Sequence, residues 1–223
     1  FSLLGVMADG GMAEYIKVPA NKLIELPSGL DVAIASLVEP LAVAVHGVDR
    51  AHVREADRVL IIGAGPIGLA IGAVLRGRGI AYDITARYPH QQQAAERLGG
   101  KLRADGHYDV VMDAIGSAAS LKQSTTRVKP MGRIGLVGMF WEPTKLEQAF
   151  WAKEAVLIPA AGYYCKSPSR SFDEARTLLH QYPDIAQALI THRYPLEGVT
   201  EAFHTAGNRA AGAIKVVFDI GKR

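Results

Sequence analysis

Residues 59–75 read VLIIGAGPIGLAIGAVL: an apolar strand, a glycine turn and an apolar helix, with no charge in the run. Its four glycines and one proline divide it into two short elements, where a membrane-crossing segment would be unbroken. Gly63, Gly65 and Gly68 form G-x-G-x-x-G at the junction, and Pro66 and Ile67 open the helix. Glycine at the first position permits a tight turn, and at the second it lets backbone approach a pyrophosphate. At the third it lets the helix lie close on the sheet, while the helix N-terminus offers free N–H groups to the anion. The pattern points to nucleotide binding. Methyltransferases and flavoproteins use similar turns, and packing glycines alone can mimic it.

From Asp57 onward strand-like and helix-like stretches alternate: RVLIIGA, PIGLAIGAVLRGR, AYDITAR, HQQQAAERLG, YDVVMDAI, SAASLKQSTTRV, GRIGLVGM, AVLIPAAGYY and SFDEARTLLHQ. Such alternation predicts an α/β fold, a doubly wound parallel sheet covered by helices. Ahead of it, GGMAEYIKVPANKLIELP predicts short strands with turns. DVAIASLVEPLAVAVHGVDRAHV has helical spacing, with Asp31 as an N-cap and Pro40 early in a second helix. Beyond it, ALITHRYPL, a helix at GVTEAFHTAG and a strand at AIKVVFDI are expected to return and pack with the N-terminal strands.

The 223 residues, 49% hydrophobic, suffice for a substantial core. With 25 basic and 22 acidic residues and no Lys/Arg block, the composition argues against a nucleic-acid partner. A single cysteine, Cys165, excludes an internal disulfide and fits a reducing compartment, by default the cytoplasm. No export signal and no membrane segment is read. The sequence starts at Phe1 in mid-pattern, which leads us to expect missing upstream residues.

The end of the second strand selects the ligand. An NAD site places Asp or Glu there, roughly 20 residues along, to grip the ribose 2′-hydroxyl. Here that position is Ala86, followed by Arg87. Alanine leaves room for a 2′-phosphate and a guanidinium can bind it bidentately, so NADP is favoured over NAD. His90 and Gln91 can add contacts. In the alternative alignment Asp83 is the ribose acid and Arg87 an ordinary surface charge. FAD fits less well, because its turn usually opens a chain.

DGGMAEYIKVPA, LVEPLAVAVHGV, VLIIGAGPIGL, AAERLG, YDVVMDAIGS, GRIGLVGM and VTEAF with AIKVV follow one another along the chain. Together they resemble the zinc-type medium-chain dehydrogenase/reductase superfamily, in its polyol, threonine and butanediol dehydrogenase branch. The resemblance spans essentially the whole sequence and matches the C-terminal two-thirds of such an enzyme. It implies a Rossmann domain inserted in a GroES-like, mainly β catalytic domain that is incomplete here. Residues 1–40 would be a remnant of that domain, 41–180 the Rossmann domain and 181–223 the returning segment. It further implies hydride transfer between a secondary alcohol or ketone and the nicotinamide, with a catalytic zinc polarising the alcohol oxygen. The family's first two zinc ligands, a cysteine and the histidine of Gly-His-Glu, precede the matched region and have no counterpart here. Glu39 matches an acid at that zinc; without the resemblance it is an acid at a helix N-terminus. One carboxylate cannot hold catalytic zinc, so zinc is expected in a full-length form.

Other implied positions are Lys215 at the cofactor pyrophosphate, Ala114 to Gly116 after the third strand, and Val137, Gly138 and Met139 after the fourth. Asp113 reads as a structural acid. His46, His52, His107, His180, His192 and His204 show no metal spacing. Phe140, Trp141, Tyr163 and Tyr164 hint at an apolar wall for a small alcohol or ketone substrate. Relatives dimerise through the last Rossmann strand, so a homo-oligomer is expected. Seven residues, KLRADGH, link AAERLGG to YDVVMDAIG, where many relatives carry a longer strand–helix excursion. Competing readings are a truncated, non-catalytic dinucleotide-binding protein and a zinc-independent quinone reductase-like enzyme; Glu39-Pro40 argues against the latter.

Overall fold

The protein is described by a computed structural model covering residues 4–163 and 168–220. Two 3-10 turns, Ala20–Lys22 and Val32–Leu37, precede α1 (Val38–Arg50), β1 (Val59–Ile62), α2 (Pro66–Gly77), β2 (Tyr82–Thr85), α3 (Pro89–Arg97) and β3 (Tyr108–Asp113). Then come α4 (Ala118–Arg127), β4 (Val128–Leu136), α5 (Gln148–Ala152), β5 (Val156–Pro159) and α6 (Pro168–Gln181). The chain continues through α7 (Asp184–Leu189), β6 (Ile190–Tyr194), a 3-10 turn at Leu196–Gly198, α8 (Val199–Gly207), another at Arg209–Ala211 and β7 (Lys215–Phe218).

Strands β1 to β5 form one parallel sheet in the order β2-β1-β3-β4-β5, the doubly wound sheet that the alternation predicts. Because β2 and β3 lie on opposite flanks of β1, their connections diverge and leave a crevice at the C-terminal strand ends. Thr85, Ile62, Asp113, Leu136 and Pro159 line up across that edge in register. The central β1, VLII, is apolar without alternation because both of its faces are covered. Val59 and Ile61 enter a large cluster with Leu41, Val45, Leu69, Leu179 and Leu189. Leu60 and Ile62 enter a smaller one with Tyr108, Val111, Ile134 and Phe150. Leu30, Leu37, Ile185 and Ile214 join the large cluster, so packing is continuous across residues 40 and 180.

The helical spacing before the sheet holds. Ala33 N–H donates to the Asp31 carboxylate at 2.9 Å, capping the Val32–Leu37 turn. Pro40 sits in the first turn of α1, where a missing N–H costs nothing. Val32–Arg50 is long and apolar enough to cross a membrane by length and composition, but 56% of its apolar window is buried inside the protein. It packs on α2 and α6, as a core helix does.

Two expectations are corrected. The strands read in GGMAEYIKVPANKLIELP are not formed: that stretch holds the Ala20–Lys22 turn and no strand, and Tyr15 and Leu23 are exposed. A strand needs a neighbour for its N–H and C=O groups; residues 10–27 make no bridge, and the isolated Leu4–Ala8 bridge lies ahead of them. Nor does the return segment pair with such strands. β6 and β7 pair with each other in parallel, and Arg193 reaches the N-terminal stretch through the Ala33 carbonyl at 3.1 Å. The strand read over AVLIPAAGYY is Val156–Pro159; Tyr164 and Cys165 lie outside the described residues.

The short KLRADGH link has a structural counterpart. Lys101 forms an isolated parallel bridge to Asp83 on the outer edge of β2. Its carbonyl accepts from Ile84 N–H at 2.9 Å, and its N–H donates to Tyr82 O at 3.1 Å. An edge strand is thus reduced to one residue.

Candidate dinucleotide site

The glycine turn after β1 meets the geometric demands of its sequence. Gly63 has φ +96°, open to glycine without steric cost, and its N–H donates to Thr85 Oγ1 at 2.9 Å. A Cβ on Gly68 would lie 1.8 Å from the Gly63 carbonyl oxygen, whereas one on Gly65 would meet nothing within 4 Å. The first and third glycines are therefore required by the protein's own packing. The second borders open space beside the N-terminus of α2, where Pro66 occupies the first turn. Pro66 and Ile67 are half-buried on that rim.

On one side of the turn, β2 ends at Thr85, and Ala86 is half-buried while Arg87 is exposed. The Arg87 guanidinium lies over the Tyr88 ring, 5.4 Å from its centroid, and Tyr88 stacks on His90 at 5.6 Å. Gln91 accepts from Arg87 N–H at 3.3 Å, which folds the strand end into α3. His90 Nε2 is buried without a hydrogen-bond partner. The alternative ribose acid is engaged elsewhere: Asp83 is 4% exposed, bound by Arg103 at 2.9 Å and Tyr108 OH at 2.8 Å. Ala86 and Arg87, and no acid, follow directly on the end of β2.

On the other side, Ala114 N–H donates to Ile62 O at 3.1 Å, and Val137 and Gly138 N–H donate to Asp113 O at 3.0 and 2.9 Å. Gly116 has φ +77° and packs backbone to backbone on residues 138–139: a Cβ there would lie 2.4 Å from Met139 O. Ala114, Gly116, Val137 and Gly138 are all half-buried along the crevice.

Glu39 and Lys215 lie apart from the glycine turn in sequence but within electrostatic reach of each other. Glu39 is in the first turn of α1 and Lys215 begins β7. Desolvation raises the Glu39 pKa and the Lys215 charge draws it back down. No group of three or more His, Cys, Asp or Glu able to hold a metal is found among the described residues, so the donors present do not fit a catalytic zinc. His46 is buried in α1, and His192 Nδ1 contacts Thr191 Oγ1 at 3.0 Å. Phe140 is half-buried, Trp141 exposed and Tyr163 half-buried, with Tyr163 packed edge-on to Phe172 at 4.8 Å and so turned into α6. A surface groove of about 370 Å³ between Gly77 and Arg170, Glu174 and Leu178 touches none of the candidate residues.

Sequence reasoning missed Thr85, which pins the glycine turn to β2; it included Ile115 in the 114–116 stretch but not its packing on the turn, where its Cγ1 would stand 2.5 Å from a Cβ on Gly63. Neither carries a motif. A hydroxyl on the last residue of the second strand is the one signal that a search could have used.

A model of the glucose dehydrogenase C-terminus matches residues 32–220. L-galactonate-5-dehydrogenase of Escherichia coli is 26% identical over 219 residues, covering 91% of this chain and 63% of that protein. This chain thus spans less than two thirds of that relative's length. An alcohol dehydrogenase of Escherichia coli CFT073, solved with NADH, superimposes with a TM-score of 0.83 at 25% identity, over 96% of this chain and 67% of that one. A protein of Sinorhizobium meliloti solved with NADP superimposes with a TM-score of 0.79 at 25% identity, over 97% and 68%.

Proposed function

The chain belongs to the glucose dehydrogenase C-terminus family of zinc-type medium-chain dehydrogenases, and from that premise we propose that it is the dinucleotide-binding part of an NADP-preferring alcohol or polyol dehydrogenase. The observation that carries this reading is the open space at Gly65 beside a strand end bearing Ala86 and Arg87 in place of an acid. The crevice fits the cofactor. Gly63, Gly65, Pro66, Ile67 and Gly68 would receive the pyrophosphate on the N-terminus of α2, and Arg87 the 2′-phosphate. Ala114, Gly116, Val137 and Gly138 would wall the crossing, and Lys215 would offer a cation to the phosphates. The nicotinamide, when bound, accepts or returns the hydride.

The substrate class is a secondary alcohol or the matching ketone. The name of L-galactonate-5-dehydrogenase, a sugar-acid enzyme, supports a polyol-like molecule. Glu39 would stand at the zinc of a longer form. As the described residues gather no zinc donor set, dinucleotide binding is the proper assay for this sequence. We assign residues 41–180 as the cofactor domain, with 1–40 and 181–223 adjoining a catalytic domain. We also assign a cytoplasmic location, on the single cysteine, and a homo-oligomer, on the exposed apolar edge of β5 at Val156.

Titration with NADPH and NADH tests the assignment. NADPH should bind at least about tenfold tighter, and Arg87→Ala should erase most of that margin, as loss of one charge-assisted bidentate contact does. Equal affinities in the unaltered protein would remove the NADP preference, and no binding of either would remove the dinucleotide site.

A further inference from the structure

We propose that Asp113 is a positioning residue, one that holds the β3 and β4 walls of the crevice in register with the glycine turn after β1. The inference rests on the dinucleotide reading above and assigns a role to a side chain that touches no phosphate.

Asp113 is fully buried and ends β3, aligned with Ile62 of β1 and Leu136 of β4. Its two polar ends serve two different loops. Side-chain Oδ1 accepts from Ile115 N–H at 2.9 Å and Gly116 N–H at 3.0 Å. The main-chain carbonyl accepts from Val137 and Gly138 N–H. The 114–116 turn and the start of the loop after β4 therefore hang from one residue. They also meet directly, since a Cβ on Gly138 would lie 2.4 Å from Gly116 N. The turn in turn lays Ile115 against Gly63, so the position of the first glycine depends on how Asp113 sets residue 115.

The unsatisfied half of the carboxylate argues the same way. Oδ2 is buried without a hydrogen-bond partner, a costly arrangement. For strand packing alone an apolar residue would serve better here, as Val111 does two positions earlier, fully buried on the same face. The gain from an acid lies in the two N–H groups that it orients. Those groups fix backbone beside the cofactor crossing, where misplacement of a wall weakens binding of any dinucleotide, whatever its 2′ substituent.

The test is calorimetric titration of the chain with NADPH and NADH, alongside thermal melting. Asp113→Ala should weaken both ligands by a similar factor of about ten, in line with loss of two oriented hydrogen bonds, and leave the ratio between them unchanged. Asp113→Asn, which keeps an acceptor at Oδ1, should restore affinity to within about threefold. Val110→Ala, in the middle of the same strand, should lower Tm without changing either Kd. Ile115→Ala is exposed enough to fold normally and should weaken both ligands with Tm unchanged. Wild-type affinity in Asp113→Ala or Ile115→Ala overturns the proposal. So does failure of Asp113→Asn to rescue, or a loss in Val110→Ala as large as in Asp113→Ala. If the unaltered chain binds neither dinucleotide, the cofactor reading fails and this inference goes with it.

Discussion

His46 is 4% exposed in the middle of α1. Its pKa is held below the ordinary histidine value, first by burial and then by Arg50, with Asp49 opposing. In the unfolded chain the imidazole takes up its proton near the ordinary value of about 6.5, while the folded protein resists until lower pH. Below that value the unfolded state holds the extra proton, so stability should fall as the medium is acidified. Tm followed from about pH 7.5 to about pH 5.5 should drop, and less in His46→Gln; identical slopes would assign the loss to other groups. This histidine illustrates what a sequence conceals. Gly63 and Gly68 were legible because each answers a local demand of turn or packing. Thr85 and the packing of Ile115 on the turn were not, because both arise from Gly63, 22 residues before Thr85 in sequence and one strand away from Ile115. Asp113 was legible as structural, and its orphan oxygen emerges only with its neighbours in place.

At the level of elements, the edge of the sheet carries its own prediction. Tyr108 opens β3 with its hydroxyl donated to Asp83, which also binds Arg103 and lies 3.5 Å from Arg58. Burial first, and then that hydrogen bond, push the Tyr108 pKa up to about 12. The unfolded chain would lose this proton near pH 10, so the folded state should lose stability as pH rises from there toward 12. Tyr108→Phe should cost about 1–2 kcal/mol at neutral pH, or about 2–8 °C in Tm for a chain of this size, and flatten the alkaline decline. Dinucleotide affinity should be untouched, because this knot ties the start of β3 and the crevice lies at its end. A melting curve at two pH values and one titration decide it. The five strands from Asp57 to Pro159 and the helices between the first four were readable from periodicity; the short α5 was not, because its five residues bury none of their side chains fully and so carry no apolar stripe. The N-terminal strands were misread because alternation gives a segment strand character but not a partner. The β6–β7 pair was misread for the complementary reason: two good strands found each other instead of the neighbours expected for them.

For the molecule as a whole, ligand binding and folding are one equilibrium. A dinucleotide that binds the native state alone, at about 100 times its Kd, adds about 2.7 kcal/mol, which corresponds to roughly 5–10 °C in Tm. NADPH should produce such a rise, and NADH at equal concentration a rise about 3–5 °C smaller if the affinities differ tenfold. Equal shifts would contradict the role given to Arg87. The fold can tolerate such coupling because one continuous cluster runs from Leu30 through the sheet to Ile214, leaving no separate half to melt first. The single-residue bridge at Lys101 has the opposite character. Beyond it the outer edge of β2 is a seam, joined by two hydrogen bonds and placed at the far side of the sheet from β4 and β5. A guest segment spliced into residues 101–107 would find a ready template on which to lay a new strand. Such a graft would lie along the same strand whose far end carries Ala86 and Arg87, so added length there would broaden the sheet on the side where the 2′ substituent is read.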